Sequence, residues 1–205
     1  LFDSILLKDV AQRHNVRNTT DLYNLASYLL SNFCNPISAN ELAGELGLSS
    51  VATTKKFCDY LNEPYLFFYL PRFNNKLKLM NKAPKKVYVV DNGFVQSTAF
   101  NLSENLGRLL ENQVFVELLR RGYIPGQTLF YYRTRNDKEV DFVTRKGTKV
   151  EQLIQVCYDM ASEKTRKREL EALVEASGEL HCSNLIVITN SQEDVIEWRG
   201  KAISI

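Results

Sequence analysis

The sequence predicts a mixed α/β (α+β) protein, in which an N-terminal helical module is followed by a mixed sheet flanked by helices. Two observations carry this reading. Between residues 21 and 61 apolar side chains recur at three- and four-residue spacing, the period of short amphipathic helices. Between residues 128 and 159 apolar and polar side chains alternate in three runs broken at Asn136-Asp137 and near Gly147, the period of strands. A chain of 205 residues, 44% hydrophobic and 24% charged, can bury one good core or two small ones, so two compact modules are expected.

The chain enters mid-pattern at Leu1 without an initiator methionine, which suggests a piece of a larger protein. No apolar run reaches membrane-span length and no signal segment opens it, so a cytoplasmic protein with no membrane partner is expected. Cys34, Cys58, Cys157 and Cys182 are too widely spaced for a zinc cluster or a disulfide framework, and read as buried free thiols.

The stretch DLYNLASYLLS places Leu22, Leu25, Ala26 and Leu29 on one helical face, with Asp21 near its start. Ser38 and Glu41 then form a capping box opening a helix through Leu46, and Gly47 suits the left-handed turn that ends it. A second helix begins near Ser49 or Ser50, with Val51, Thr54, Phe57, Cys58 and Leu61 on one face. Two short helices joined by a tight glycine turn form a helix-turn-helix. The next segment, YLFFYLPRFNNKLKLM, reads as a hairpin turning at Asn74-Asn75, which would make the module a winged helix.

Contacts with DNA would fall to Ser49, Ser50, Thr53, Lys55 and Lys56 on the second helix, and to Arg72, Lys76 and Lys78 on the wing. The window from Pro64 to Val90 lacks acids and holds Arg72, Lys76, Lys78, Lys82, Lys85 and Lys86, a local positive field in a chain of net charge +2. The helix lacks the Arg, Asn and Gln cluster that reads base edges, so such contact would be weakly specific. An inert packing or protein-contact module is the alternative. A domain boundary is expected within NKAPKK, giving modules of residues 1–86 and 87–205.

In the second module, GRLLENQVFVELLRRG buries Leu110, Val114, Phe115 and Leu118, with Glu111 bordering that stripe. A carboxylate there needs a partner, either a metal or a base such as Arg133 or Arg135. Three strands follow, TLFYYRT, KEVDFVTR and KVEQLIQVCYD, and an antiparallel pairing of the last two can bring Asp141 and Gln155 together. A helix over TRKRELEALVEAS returns the chain to the strand NLIVIT, and VIEWRGKAISI closes it as a hairpin.

The runs LLKDVAQRHNVRN, PISANELAGELGLSS, KVYVVDNGF, GRLLENQVFVELLRRG, EVDFV, LIQVCYD and TRKRELEAL resemble, in order and spacing, the C-terminal half of a family of prokaryotic AAA+-type ATPases. That resemblance implies a winged helix followed by a restriction-endonuclease-like domain similar to the PD-(D/E)xK fold. Glu111 would take the helix-acid place, Asp141 the strand-Asp place and Gln155 the Glu/Gln place, with Glu111 and Asp141 holding magnesium or manganese. The place of the lysine is taken by Cys157, which carries no positive charge to set against a phosphate. Lys149 or Lys164 are possible substitutes, while Glu139 and Glu151 read as solvent-facing. The phosphate-cradling G-x-x-x-x-G-K-[ST] loop is absent from these residues, so ATP would be handled only by a preceding domain of the same polypeptide. The leading expectation is a DNA-binding or regulatory module whose nuclease-like domain has degenerated. The alternatives are a weak Mg- or Mn-dependent nuclease and a protein-interaction module, one use of which is oligomerisation, without nucleic acid.

Overall fold

A computed structural model describes residues 1–98 and 106–205. The chain forms two compact units, Leu1–Tyr69 with Pro84–Leu102, and Leu70–Ala83 with Ser103–Ile205. The expected boundary at residue 86 is therefore crossed. The strand beginning at Lys85 pairs within the first unit, whereas Leu70–Ala83 is built into the second.

The first unit opens with α1 (Phe2–Ser4), which continues as a π-helical segment over Ile5–Gln12, and then α2 (Thr19–Ser31). The Asn18 side chain caps α2 by accepting the Asp21 N–H at 3.1 Å, and the stripe Leu22, Leu25, Ala26 and Leu29 is buried as its spacing predicts. After β1 (Pro36–Ile37) come α3 (Ala39–Glu45) and α4 (Val51–Asn62). Ser38 caps α3 and Ser50 caps α4, accepting the Glu41 and Thr53 N–H groups at 3.2 and 3.0 Å. Between these helices Gly47 takes φ +61°, the conformation that called for glycine.

The expected hairpin at Asn74-Asn75 does not form. After β2 (Phe67–Pro71) the Asn74 side chain accepts the Lys76 N–H at 2.8 Å, a local turn that starts α5 (Leu77–Lys82) instead of a return strand. The strand that joins β2 is β3 (Lys85–Val89), in a sheet ordered β1-β3-β2, and α6 (Asn92–Thr98) follows.

The second unit carries α7 (Leu106–Arg120), β4 (Leu129–Arg133), β5 (Glu139–Lys146), β6 (Lys149–Val156), α8 (Glu163–Leu180), β7 (Leu185–Ile188), β8 (Val195–Trp198) and β9 (Lys201–Ser204). They build a mixed sheet ordered β4-β5-β6-β7-β9-β8. The pairs β4/β5, β5/β6 and β8/β9 are antiparallel, and β6/β7 and β7/β9 are parallel. Turns of left-handed backbone sit at Asp137, Gly147 and Arg199-Gly200.

On one side α7 packs Phe115 against Phe142, ring centroids 6.4 Å apart. Elsewhere in the unit Leu170, Leu173 and Ala176 of α8 join Leu153, Leu185, Val187 and Ile203 in one buried cluster. The outer edge of β4 is closed by the segment brought from earlier in the chain. The Phe73 N–H donates to the Tyr131 carbonyl at 2.7 Å, the Arg72 guanidinium donates to the Arg133 carbonyl at 2.9 Å, and Phe73 meets Phe130 edge-on. Among the described residues, no helix is long and apolar enough to cross a membrane.

Candidate functional site

The strongest concentration of buried polar chemistry lies where β5, β6 and α8 meet. The pairing Phe142↔Ile154 sets Asp141 opposite Gln155 one step along, and the Asp141 N–H donates to Gln155 Oε1 at 3.3 Å. Against β4, Asp141 and Phe142 together face the single residue Tyr131, a bulge that re-aims the strand at this point. The Asp141 carboxylate accepts the Val156 N–H at 2.9 Å. Asp141 and Gln155 are each 6% exposed.

Gln155 Nε2 donates in turn to Glu169 on α8 at 2.6 Å. Arg168 holds Glu169 with a bond from Nε at 2.9 Å and a second, shorter one from its terminal nitrogen. Burial pushes the Glu169 carboxyl above its ordinary value, an effect opposed by the bonds and charge of Arg168 and reinforced by the negative charge of Asp141. Cys157 is buried at the same junction and its thiol donates to the Asp159 carbonyl at 3.2 Å. Burial first, and the Glu169 charge second, raise the thiol above its ordinary value, so it stays neutral and offers neither a thiolate nor a cation.

The structure thus joins Asp141, Gln155 and Cys157 in one place, and adds Glu169 and Arg168, which the sequence reading missed. The signal for Glu169 was present. Residues 169, 172, 173 and 176 share one helical face, so this carboxylate falls within the buried stripe of α8, and Glu111 was noticed on a weaker form of the same pattern. Glu111 is half-buried on α7, whose Phe115 packs on Phe142.

Of the bases weighed as partners for Glu111, Arg133 is bonded to Glu139 at 3.2 Å and to Asp137 at 2.8 Å. Among the described residues, no three His, Cys, Asp or Glu side chains converge as metal ligands. Lys149 stands at the opposite end of β6, roughly 20 Å from Gln155 at the rise of an extended strand. Lys164 is exposed in the first turn of α8, and Glu151 is exposed on β6.

The nucleic-acid candidates fall on both units. On α4, Ser50 and Ser49 spend their hydroxyls on Thr53, at 3.0 and 3.2 Å, while Lys55 and Lys56 are exposed. Lys76 and Lys78, expected on a wing strand, lie instead at the start of α5, exposed, and Arg72 is half-buried with its guanidinium on a carbonyl. The basic window also loses Lys86, which is only 1% exposed within the first unit.

Residues 1–105 match the family model of a domain of unknown function, DUF8612, and residues 106–205 that of another, DUF4143. An uncharacterized protein of Methanocaldococcus jannaschii is 36% identical over 93% of this chain and 43% of its own length. An uncharacterized protein of Haemophilus influenzae is 32% identical over 78% of this chain and 40% of its own length. The chain therefore spans less than half the length of these curated relatives. No solved structure matches it. With one model spanning residues 1–105 and the other the remainder, the chain belongs to the DUF8612 domain family, here continued by a stretch that matches DUF4143.

Proposed function

We propose that this chain is a noncatalytic, nucleic-acid-engaging module of a P-loop ATPase, its first unit a winged helix and its second a nuclease-like domain that has lost efficient cutting. The observation that carries this is the state of the lysine place. Cys157 there is buried and neutral, while the Asp141 carboxylate is bonded to the Val156 N–H and the Gln155 amide to Glu169. Phosphodiester cleavage needs positive charge aimed at the developing negative charge; a thiol supplies none, and the Arg168 guanidinium at the same junction is bonded to Glu169. The order helix, three antiparallel strands, helix and parallel strand in the second unit supports the nuclease-like reading. The capped pair α3–α4 and the sheet order β1-β3-β2 support the winged helix.

Contact with DNA would run through Lys55 and Lys56 on α4, nonspecifically, by neutralising phosphates. In a gel-retardation assay the double variant Lys55→Glu, Lys56→Glu should weaken binding to duplex or single-stranded DNA by about tenfold or more at low salt. Retardation that is absent from the natural chain, or unchanged in the variant, rejects this part of the proposal.

The adjacency of Asp141 and Gln155 favours a second reading, a slow metal-dependent nuclease. Plasmid nicking in manganese that disappears in Asp141→Asn would establish it over the noncatalytic one.

A further inference from the structure

Two carboxylates buried together require a positive partner, because each charge taken from water is costly unless paired. Asp141 and Glu169 are 6% and 5% exposed, and the Gln155 amide bridges them, its oxygen taking the Asp141 N–H and its nitrogen donating to Glu169. The cation supplied is Arg168. Its guanidinium grips Glu169 through two nitrogens and interacts electrostatically with Asp141, yet its side chain is 73% exposed. A buried acid pair is therefore neutralised by a tethered cation reaching in from the surface.

We infer that Arg168 is the resident counter-cation of the Asp141–Gln155–Glu169 cluster and occupies the place that a divalent metal ion would otherwise take. The donors available are the two carboxylates, since Gln155 turns its nitrogen to Glu169 and gives its oxygen to the Asp141 N–H; carboxylate oxygens suit magnesium or manganese with water completing the shell. Two carboxylates alone are a sparse set, and a guanidinium attached to the neighbouring residue competes at high effective concentration. The inference does not rest on contact with DNA, since its readout is metal binding by the chain alone.

The test is titration of Mn2+ into the full chain without nucleic acid, followed by calorimetry and by the electron paramagnetic resonance signal of free Mn2+. Arg168→Gln should bind one ion at least about tenfold more tightly than the natural chain, as expected when a unit positive charge is removed from the site. The added variant Asp141→Asn should abolish that gain. Circular dichroism checks the fold of each variant. Should Arg168→Gln not fold, Arg168→Lys, a point charge that cannot make the two-pronged grip, should still show a measurable gain. No gain in the folded variant, a gain that survives Asp141→Asn, or equally tight binding by the natural chain each overturns the inference.

Discussion

Asp141 satisfies two parts of its surroundings at once, giving its N–H to Gln155 and taking the Val156 N–H on its carboxylate. Removing the acceptor strands a backbone donor near the core, so Asp141→Ala should cost about 1–3 kcal/mol in urea denaturation. Asp141→Asn, which keeps an oxygen at that place, should cost less, and equal losses would deny the Val156 bond any importance. Alternation and the tight turn at Gly147 made the pairing of these two strands legible, but it is a bulge between Thr144 and Arg145, shifting the register by one residue, that sets Asp141 opposite Gln155. Glu169 was less visible, since an acid in a mixed-charge helix looks solvated until its spacing to Ala172, Leu173 and Ala176 is followed. The bulge at Asp141-Phe142 had no sequence signal in glycine or proline.

At the scale of elements, α8 presents acids at 171, 175 and 179, one turn apart, to the β4–β5 turn. Glu171 and Glu175 meet Lys138 at 3.1 and 3.4 Å, Glu175 takes the Asn136 N–H, and Glu179 takes the Arg135 N–H and the Tyr132 hydroxyl. Burial, then the bond to Glu179, pushes the Tyr132 phenol up to about 12.

The bond to Lys138 draws the Glu171 carboxyl below its ordinary value. Bonds from Thr134, Asn136 and Lys138 do the same for Glu175, against a burial effect of opposite sign. A carboxyl lowered in the folded state binds fewer protons than in the unfolded chain. Its stabilisation is thus complete above the ordinary carboxylate value and is lost as pH falls through the lowered one. Glu169 is raised, so its contribution has the opposite sign and is lost as pH rises above the ordinary value. In a Glu169→Gln background, thermal stability should therefore fall with acidification from pH 5 toward pH 3. That slope should shrink when Glu171 and Glu175 are both glutamine, and an unchanged slope would remove these acids from the account. Helices α2, α3, α4, α7 and α8 were legible from spacing and caps, whereas the helical start of the chain, α5 and α6 were not. The misread hairpin shows the limit of such signals, because Asn74 can begin a helix as readily as it can turn a strand.

At the scale of the whole molecule, the chain passes from the first unit to the second, back, and across again, with Leu70–Ala83 lodged in the second. A composition shift near residue 86 could not reveal this, because Phe73 finds its partners Phe130 and Tyr131 more than fifty residues later. A fragment of residues 106–205 would expose the edge of β4 and the ring of Phe130, and should associate in size-exclusion chromatography with light scattering. In the full chain, Phe73→Ser, which empties the buried place beside Phe130, should likewise increase association; behaviour unchanged from the natural chain would mean that Phe73 adds nothing to the edge. The same interleaving bears on descent. The stretch matched by one family model supplies, through Arg72 and Phe73, the seam of a sheet matched by the other. A recombination at the junction of the two models would hand on a torn sheet, so these domains should be inherited as a pair and not traded as separate cassettes.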